Sequence, residues 1–421
     1  MREYLLTLGI TVAVTYLLTG PVRKFAIAAG AMPEIRARDV HREPTPRLGG
    51  IAMFGGLCAG LLVADHLRNL NGVFELSNEP RALLSGAALI WLIGVLDDKF
   101  EIDALIKLGA QMIAAGVMVM QGLTMLWIPV PGIGNVLLTQ WQGNLLTVAL
   151  VVITINAVNF VDGLDGLAAG MVCIAAAAFF LYSYRIWFGY GIEAAAPATL
   201  FVAILMGMCL GFLPHNMHPA RIFMGDSGSM LIGLVLAAAA ISITGQVDPD
   251  TMAIFAGGER KATQAMLPVF IPLLLPLTII AIPMADLILA IVRRTWKGQS
   301  PFAADRGHLH HRLLELGHSH SRAVLIMYFW SGLIAFGTVA YSVHSASMWI
   351  VLAIVGLSAL GLVLLLLPRF TPRAPRWAEG LVPPRYRHAE RAAEAAAQDA
   401  SGREPEHAEP IKVSVTGATR R

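Results

Sequence analysis

Residues Asn156–Gly170 read NAVNFVDGLDGLAAG and separate two apolar runs, Leu145–Ile155 and Leu167–Ile186, each long enough or nearly so to be a membrane helix. Asn156, Asn159, Asp162 and Asp165 recur at every third position, and Gly163, Gly166 and Gly170 are poor helix formers that loosen the backbone among them. A charge at the centre of a bilayer costs about 2.5 kcal/mol or more, so the two aspartates need an interface, a polar cavity or a cation. A solvated turn between two helices would also satisfy them.

The chain around this stretch is 56% hydrophobic and only 14% charged over 421 residues, against roughly 25% charged for a soluble domain. With a mean hydropathy of +0.65, this describes an integral membrane protein with many spans. A net charge of +3 is too mild to argue for nucleic acid, so none is expected as a partner. Cys58, Cys173 and Cys209 all lie in apolar segments and read as small buried hydrophobes.

Apolar runs place spans at about Tyr4–Ile27, Gly49–Leu67, Ala82–Leu96, Leu105–Leu126, Leu145–Val158, Leu167–Trp187, Pro197–Leu213, Met230–Thr244, Ala265–Val292, Ala323–Val343 and Met348–Leu367. The expected fold is therefore all-α and polytopic, with about eleven transmembrane helices. Arg23 and Lys24 follow the first span and outnumber Arg2, which favours an uncleaved helix with the N-terminus outside and the C-terminus cytoplasmic. Ala265–Val292 would be about 42 Å long as a straight helix. Pro268, Pro272, Pro276 and Pro283 give it reason to bend, either as a groove for a lipid chain or as an ordinary kinked helix. Residues 1–367 read as one membrane-embedded domain. Residues 368–421, rich in Pro, Arg, Ala and Glu, read as a disordered cytoplasmic tail.

On that topology the polar motifs fall in five loops on the cytoplasmic side: DVHREPTPRLGG (Asp39–Gly50), GVLDDKFEID with Lys107 just beyond, the opening stretch, PHNMHPARIFMGDSGS (Pro214–Ser229) and DRGHLHHRLLELGHSHSR (Asp305–Arg322). Asp97 and Asp98 are adjacent carboxylates; they suit a hard divalent ion such as Mg²⁺, or a solvated helix end partnered by Lys99. Asp226 lies between Gly225 and Gly228, where backbone N–H groups can face an anion. His308, His310 and His311, flanked by Arg306 and Arg312, suit phosphate oxygens or a zinc ion, or form a solvated loop. Arg42 and Arg47 bracket a stiff Pro44–Pro46 turn, as phosphate donors or as plain positive-inside residues. Acidic loops for metal and basic loops for phosphate on a membrane body point to phosphoryl transfer involving a lipid. No GxxxxGK[ST] sequence is present to suggest a P-loop ATPase.

The five loops, in this order, resemble the polyprenyl-phosphate N-acetylhexosamine-1-phosphate transferases, over about Tyr4–Leu367. The resemblance implies transfer of a sugar 1-phosphate from a UDP-sugar to polyprenyl phosphate at the cytoplasmic face of a bacterial plasma membrane. The products would be a polyprenyl diphosphate-sugar and UMP. It further implies Mg²⁺ as cofactor, with Mn²⁺ able to substitute, and a homodimer. By this resemblance Asp97 and Asp98 are implicated in catalysis, lipid-phosphate handling and metal binding, and Asp226 is the principal Mg²⁺ ligand. Asn159, Asp162 and Asp165 form the nucleotide loop and Phe223 stacks on uracil. His308, His310 and His311 bind the diphosphate, with Lys107, Arg42, Arg47 and Arg306 as further phosphate contacts. The peptidoglycan branch, which transfers phospho-MurNAc-pentapeptide, carries three consecutive histidines and then an acidic residue. The run His308-Leu309-His310-His311-Arg312 is more similar to the branch that uses UDP-GlcNAc to begin other envelope glycopolymers. A nucleotide-sugar transporter would need polar sites near the bilayer midplane and an inverted repeat, neither of which is evident here.

Overall fold

The computed structural model describes residues 1–32, 45–130, 134–246, 320–343 and 348–366. Nearly every described element is a helix: α1 (Arg2–Ala28), α2 (Gly49–Asp65), the short α3 (Asn71–Leu76), α4 (Glu79–Phe100), α5 (Ala104–Met120), α6 (Gln140–Val161), α7 (Leu167–Tyr184), α8 (Ala196–Asn216), α9 (Gly225–Gln246), α10 (His320–Val343) and α11 (Met348–Leu366). Seven of them, α1, α4, α6, α7, α8, α9 and α10, are long and apolar enough to cross a membrane, while α2, α5 and the Trp349–Gly361 part of α11 are apolar but shorter. The protein is thus helical and multi-pass. The span expected over Ala265–Val292, with its prolines, lies outside the described residues, as does the tail.

Among the described residues, the departure from an all-helical chain occurs in the uncharged segment after α5. There β1 (Trp127–Val130) and β2 (Gly134–Leu137) pair antiparallel, Trp127 opposite Leu137 and Val130 opposite Gly134. Short β-branched runs around a Pro-Gly pair favour a hairpin over a featureless loop. Met1–Leu360 forms one compact unit, and the described part of a second unit, Gly361–Arg421, is only the end of α11.

The core of the first unit is α9. It is apolar on every side, and Met230–Thr244 is buried throughout, among α2, α4, α6 and α8. α4 runs antiparallel to it and is tied to it at both ends: buried Glu79, in the first turn of α4, accepts a hydrogen bond from Ser242 Oγ, and Asp98, near the other end, meets the start of α9. On the opposite flank α1 lays a stripe of buried threonines, Thr7, Thr11, Thr15 and Thr19, against α2 and α8. A Cβ added at Gly56 would collide with Thr15, so small residues on α2 let the two helices approach as membrane helices do. The site-bearing ends therefore converge: the C-terminal ends of α4, α6 and α8 lie with the N-terminal ends of α2, α5, α7, α9 and α10, joined by the hydrogen bonds described next.

Candidate active site

The site begins where α9 begins. A helix start leaves its first N–H groups without partners inside the helix, and here a carboxylate from another helix takes them. Asp98 Oδ1 accepts from the Asp226 N–H at 2.7 Å, and Oδ2 accepts from the Ser227 N–H at 3.2 Å and Ser227 Oγ at 2.6 Å. Gly225, with φ +70°, makes the turn into the helix, and any Cβ there would strike the Asp98 carboxylate. Asp98, expected from resemblance to act in catalysis and metal binding, is buried and has both oxygens engaged by the start of α9.

Asp97, one residue earlier, faces a different set of partners. Its Oδ1 accepts from the Ile102 N–H at 2.7 Å and its Oδ2 from Lys107 Nζ at 2.7 Å. The same ammonium reaches Asp226 Oδ2 at 2.8 Å, and Asn159 Nδ2 donates to Asp226 Oδ1 at 3.0 Å and to Ser229 Oγ at 2.9 Å. Residues from α4, α5, α6 and α9 thus meet around one lysine. Asn159, expected as a nucleotide contact, is a direct partner of Asp226.

Asp162 ends α6 and is half-buried near this group. Loss of water and the charges of Asp226 and Asp98 push its carboxyl up to about 7, with Arg47 opposing them. Arg47 is brought there by backbone pairing between the first and fourth polar loops. The Phe223 N–H donates to the Pro46 carbonyl at 2.9 Å, and the Gly49 and Gly50 N–H groups donate to the Phe223 and Met224 carbonyls at 3.0 Å. Phe223, three residues before Asp226 in the chain, is half-buried.

Asp165 points elsewhere. Its buried carboxylate takes His218 Nδ1 at 2.8 Å and the Ala220 N–H at 3.1 Å on Oδ2, while its own N–H donates to His320 Nε2 at 3.1 Å. The Gly166 N–H donates to Asn216 Oδ1 at 3.0 Å, and Tyr328 Oη donates to the Gly166 carbonyl. Asp165 is therefore a strut of the DGLDG loop, while Asp162 is the carboxylate left near Asp226. Arg42, Arg306, His308, His310 and His311 lie outside the described residues.

Asp97 and Asp226 share Lys107, with Asp162 near Asp226, and carboxylate oxygens of this kind are the donors a hard ion such as Mg²⁺ takes; among the described residues, however, their ligand atoms are not gathered into a metal cluster. Asp165, His218 and His320 have one donor atom each within 4.8 Å of one another, but two imidazoles suit a softer ion than Mg²⁺. Ser227, Ser229, Asn216, His218, His320 and Tyr328 were not singled out from the sequence. The first four sit inside quoted polar motifs and His320 within the fifth, so a stricter account of each polar atom would have found them. Tyr328 lies in an apolar run and carries no such signal.

The sequence profile described as Glycosyl transferase family 4 matches residues 81–244, which include Asp97, Asp98, Lys107, Asn159, Asp162, Asp165 and Asp226. Over 341 residues the chain is 47% identical to a decaprenyl-phosphate N-acetylglucosaminephosphotransferase of Mycobacterium tuberculosis, covering 80% of this chain and 82% of the relative. It is 33% identical to a probable undecaprenyl-phosphate N-acetylglucosaminyl 1-phosphate transferase of Bacillus subtilis, covering 80% and 84% of the two chains. It is 28% identical to an undecaprenyl-phosphate alpha-N-acetylglucosaminyl 1-phosphate transferase of Escherichia coli, covering 79% and 82%.

Proposed function

We propose, starting from the fact that this chain belongs to glycosyl transferase family 4, that it transfers GlcNAc-1-phosphate from UDP-GlcNAc to a polyprenyl phosphate. The products are polyprenyl diphosphate-GlcNAc and UMP. The observation that carries this reading is the convergence of Asp97, Lys107, Asn159 and Asp226 at one end of a membrane-embedded bundle. A lipid phosphate can reach that end without leaving the membrane surface.

A phosphate monoester has its second pKa near 6, so the acceptor is largely dianionic at neutral pH and is already a nucleophile. An oxygen of the lipid phosphate attacks the β-phosphorus of the donor in line. The new P–O bond forms as the bond to the oxygen shared with the α-phosphate breaks, and UMP leaves with that electron pair. The obstacle is repulsion between two polyanions. Lys107 and Arg47 lower it from this chain, as do Arg42, Arg306, His308, His310 and His311 in the reading carried by resemblance. Mg²⁺, when bound by Asp226 with Asp97 and Asp162, supplies further charge neutralisation of the phosphates. Asp97 positions the lipid phosphate or takes its residual proton. Asp98 keeps the start of α9 in place and serves the site through Asp226. Asp162 and Phe223 face the nucleotide.

The same reading puts the site on the cytoplasmic side of a bacterial plasma membrane, in a homodimer, at the first membrane step of an envelope glycopolymer. Its test is direct: purified protein in detergent, polyprenyl phosphate, Mg²⁺, and in turn UDP-GlcNAc, UDP-GalNAc and UDP-MurNAc-pentapeptide. Lipid-linked product from UDP-GlcNAc is expected. Product from UDP-MurNAc-pentapeptide alone would move the protein to the peptidoglycan branch, and no product from any donor would defeat the enzyme reading. Rapid exchange of labelled UMP into UDP-GlcNAc without lipid would replace the single displacement by a covalent aspartyl intermediate.

A further inference from the structure

The loop that this reading assigns to the donor nucleotide is held from outside by a helix that lies beyond the residues matched by the family profile. α10 touches Asp165–Gly170 at two points about two turns apart. At its first residue, His320 Nε2 accepts the Asp165 N–H at 3.1 Å. Two turns on, Tyr328 Oη donates to the Gly166 carbonyl, and the Tyr328 ring lies where a Cβ at Gly170 would be, so only glycine lets α10 come this close to α7. The remaining side of the loop is tied to the end of α8 through Asn216 and to the segment between α8 and α9 through His218 with Asp165. The His218 and His320 rings stack at 4.4 Å between centroids, closing the two sides on each other.

We propose that α10 is a positioning element of the nucleotide loop: His320 and Tyr328 hold the Asp165–Gly166 backbone so that half-buried Asp162 and exposed Gly163 stay presented to the uridine diphosphate. The inference rests on the assignment of this loop to the donor. A neutral imidazole is required, because Nε2 must offer its lone pair to the Asp165 N–H. That hydrogen bond also argues against Asp165, His218 and His320 as a metal centre, since the His320 Nε2 lone pair is already directed at an amide.

The experiment compares full-length wild type with His320→Ala, His320→Gln and Tyr328→Phe in detergent. Glutamine places an acceptor oxygen at the same distance along the side chain as Nε2. Hydrogen–deuterium exchange of the peptide covering residues 160–172, without any ligand, reads the clamp independently of activity. It is expected to rise in His320→Ala and Tyr328→Phe and to return close to wild type in His320→Gln. The KM for UDP-GlcNAc is expected to rise about fivefold or more in His320→Ala, with kcat and the KM for polyprenyl phosphate changed less than about twofold, and with recovery in His320→Gln. Faster exchange with an unchanged donor KM would show a purely structural tie and overturn the proposal. Equal losses in His320→Ala and His320→Gln, or stabilisation of wild type by Zn²⁺ that disappears in both, would overturn the hydrogen-bond account. An inactive wild type that still shows the exchange pattern would defeat the functional reading and leave the clamp in place.

Discussion

Lys107 stands 2.7 Å from Asp97 and 2.8 Å from Asp226, one ammonium serving two carboxylates drawn from different helices. Without it the two acids would face each other with too little compensation, since like charges this close disfavour joint ionisation. Asp226→Asn keeps the backbone N–H that Asp98 holds and removes the charge. Turnover is expected to fall below detection while the elution profile and Tm stay near wild type; normal Mg²⁺-dependent activity in that variant would place the metal elsewhere. Asp162 makes a pH prediction. In the folded chain its carboxyl keeps its proton up to about 7, whereas in an unfolded chain it titrates near 3.9. The folded state then binds more protons between those values, so this group lowers stability progressively as pH rises from about 4 to about 7, and by a constant amount above. With divalent ions removed by chelator, Asp162→Asn is expected to raise Tm more at pH 8 than at pH 5. Equal shifts at the two values would show that Asp162 is ionised throughout.

Among the elements, α9 depends on α4 for its beginning. The Asp98 carboxylate supplies the acceptors that a local capping residue would otherwise provide, and its negative charge sits favourably at the positive end of the helix. Asp98→Ala leaves buried N–H groups without that acceptor and is expected to cost about 2 kcal/mol, measured as a lower Tm in detergent, with activity lost in proportion to the displaced Asp226. Asp98→Ala with unchanged Tm would mean that α9 starts without it. The α1–α2 contact offers a second check. Gly56→Val inserts a branched side chain where Thr15 already lies and is expected to cost about 1–3 kcal/mol by overpacking, with little change in donor KM because the contact is remote from the site. In the sequence the spans of these elements were legible as apolar runs. α9 starts at Gly225, ahead of the apolar run at Met230, because the capped turn that starts the helix is built from Gly, Asp and Ser.

At the scale of the whole molecule, the reading requires the two ends of the bundle to lie on opposite sides of the membrane. A cysteine at Asp103, beside the site, is expected to resist a membrane-impermeant maleimide in intact cells, while one at Leu137, exposed on the hairpin, is expected to react; the reverse would invert the topology. A chain ending at Leu367 is expected to retain activity, since no chemistry is assigned to the tail. The sequence by itself determined that this is a multi-pass helical membrane protein and which loops gather its polar residues, because span length and apolar runs are local properties, and polar residues that would be costly in lipid mark themselves. It also placed Asp97, Lys107 and Asp226 among the candidates. What it did not divide was labour between neighbours. Asp97 and Asp98 are the same residue type at adjacent positions, and only the approach of α4 to α9 turned one toward Lys107 and the other onto a helix start. Asp162 and Asp165 were likewise alike, three residues apart in one motif. The tertiary structure alone decided that Asp165 is tied to His218 while Asp162 remains near Asp226, because those partners come from chain segments more than fifty residues away, and a hydrogen bond is set by where helices meet.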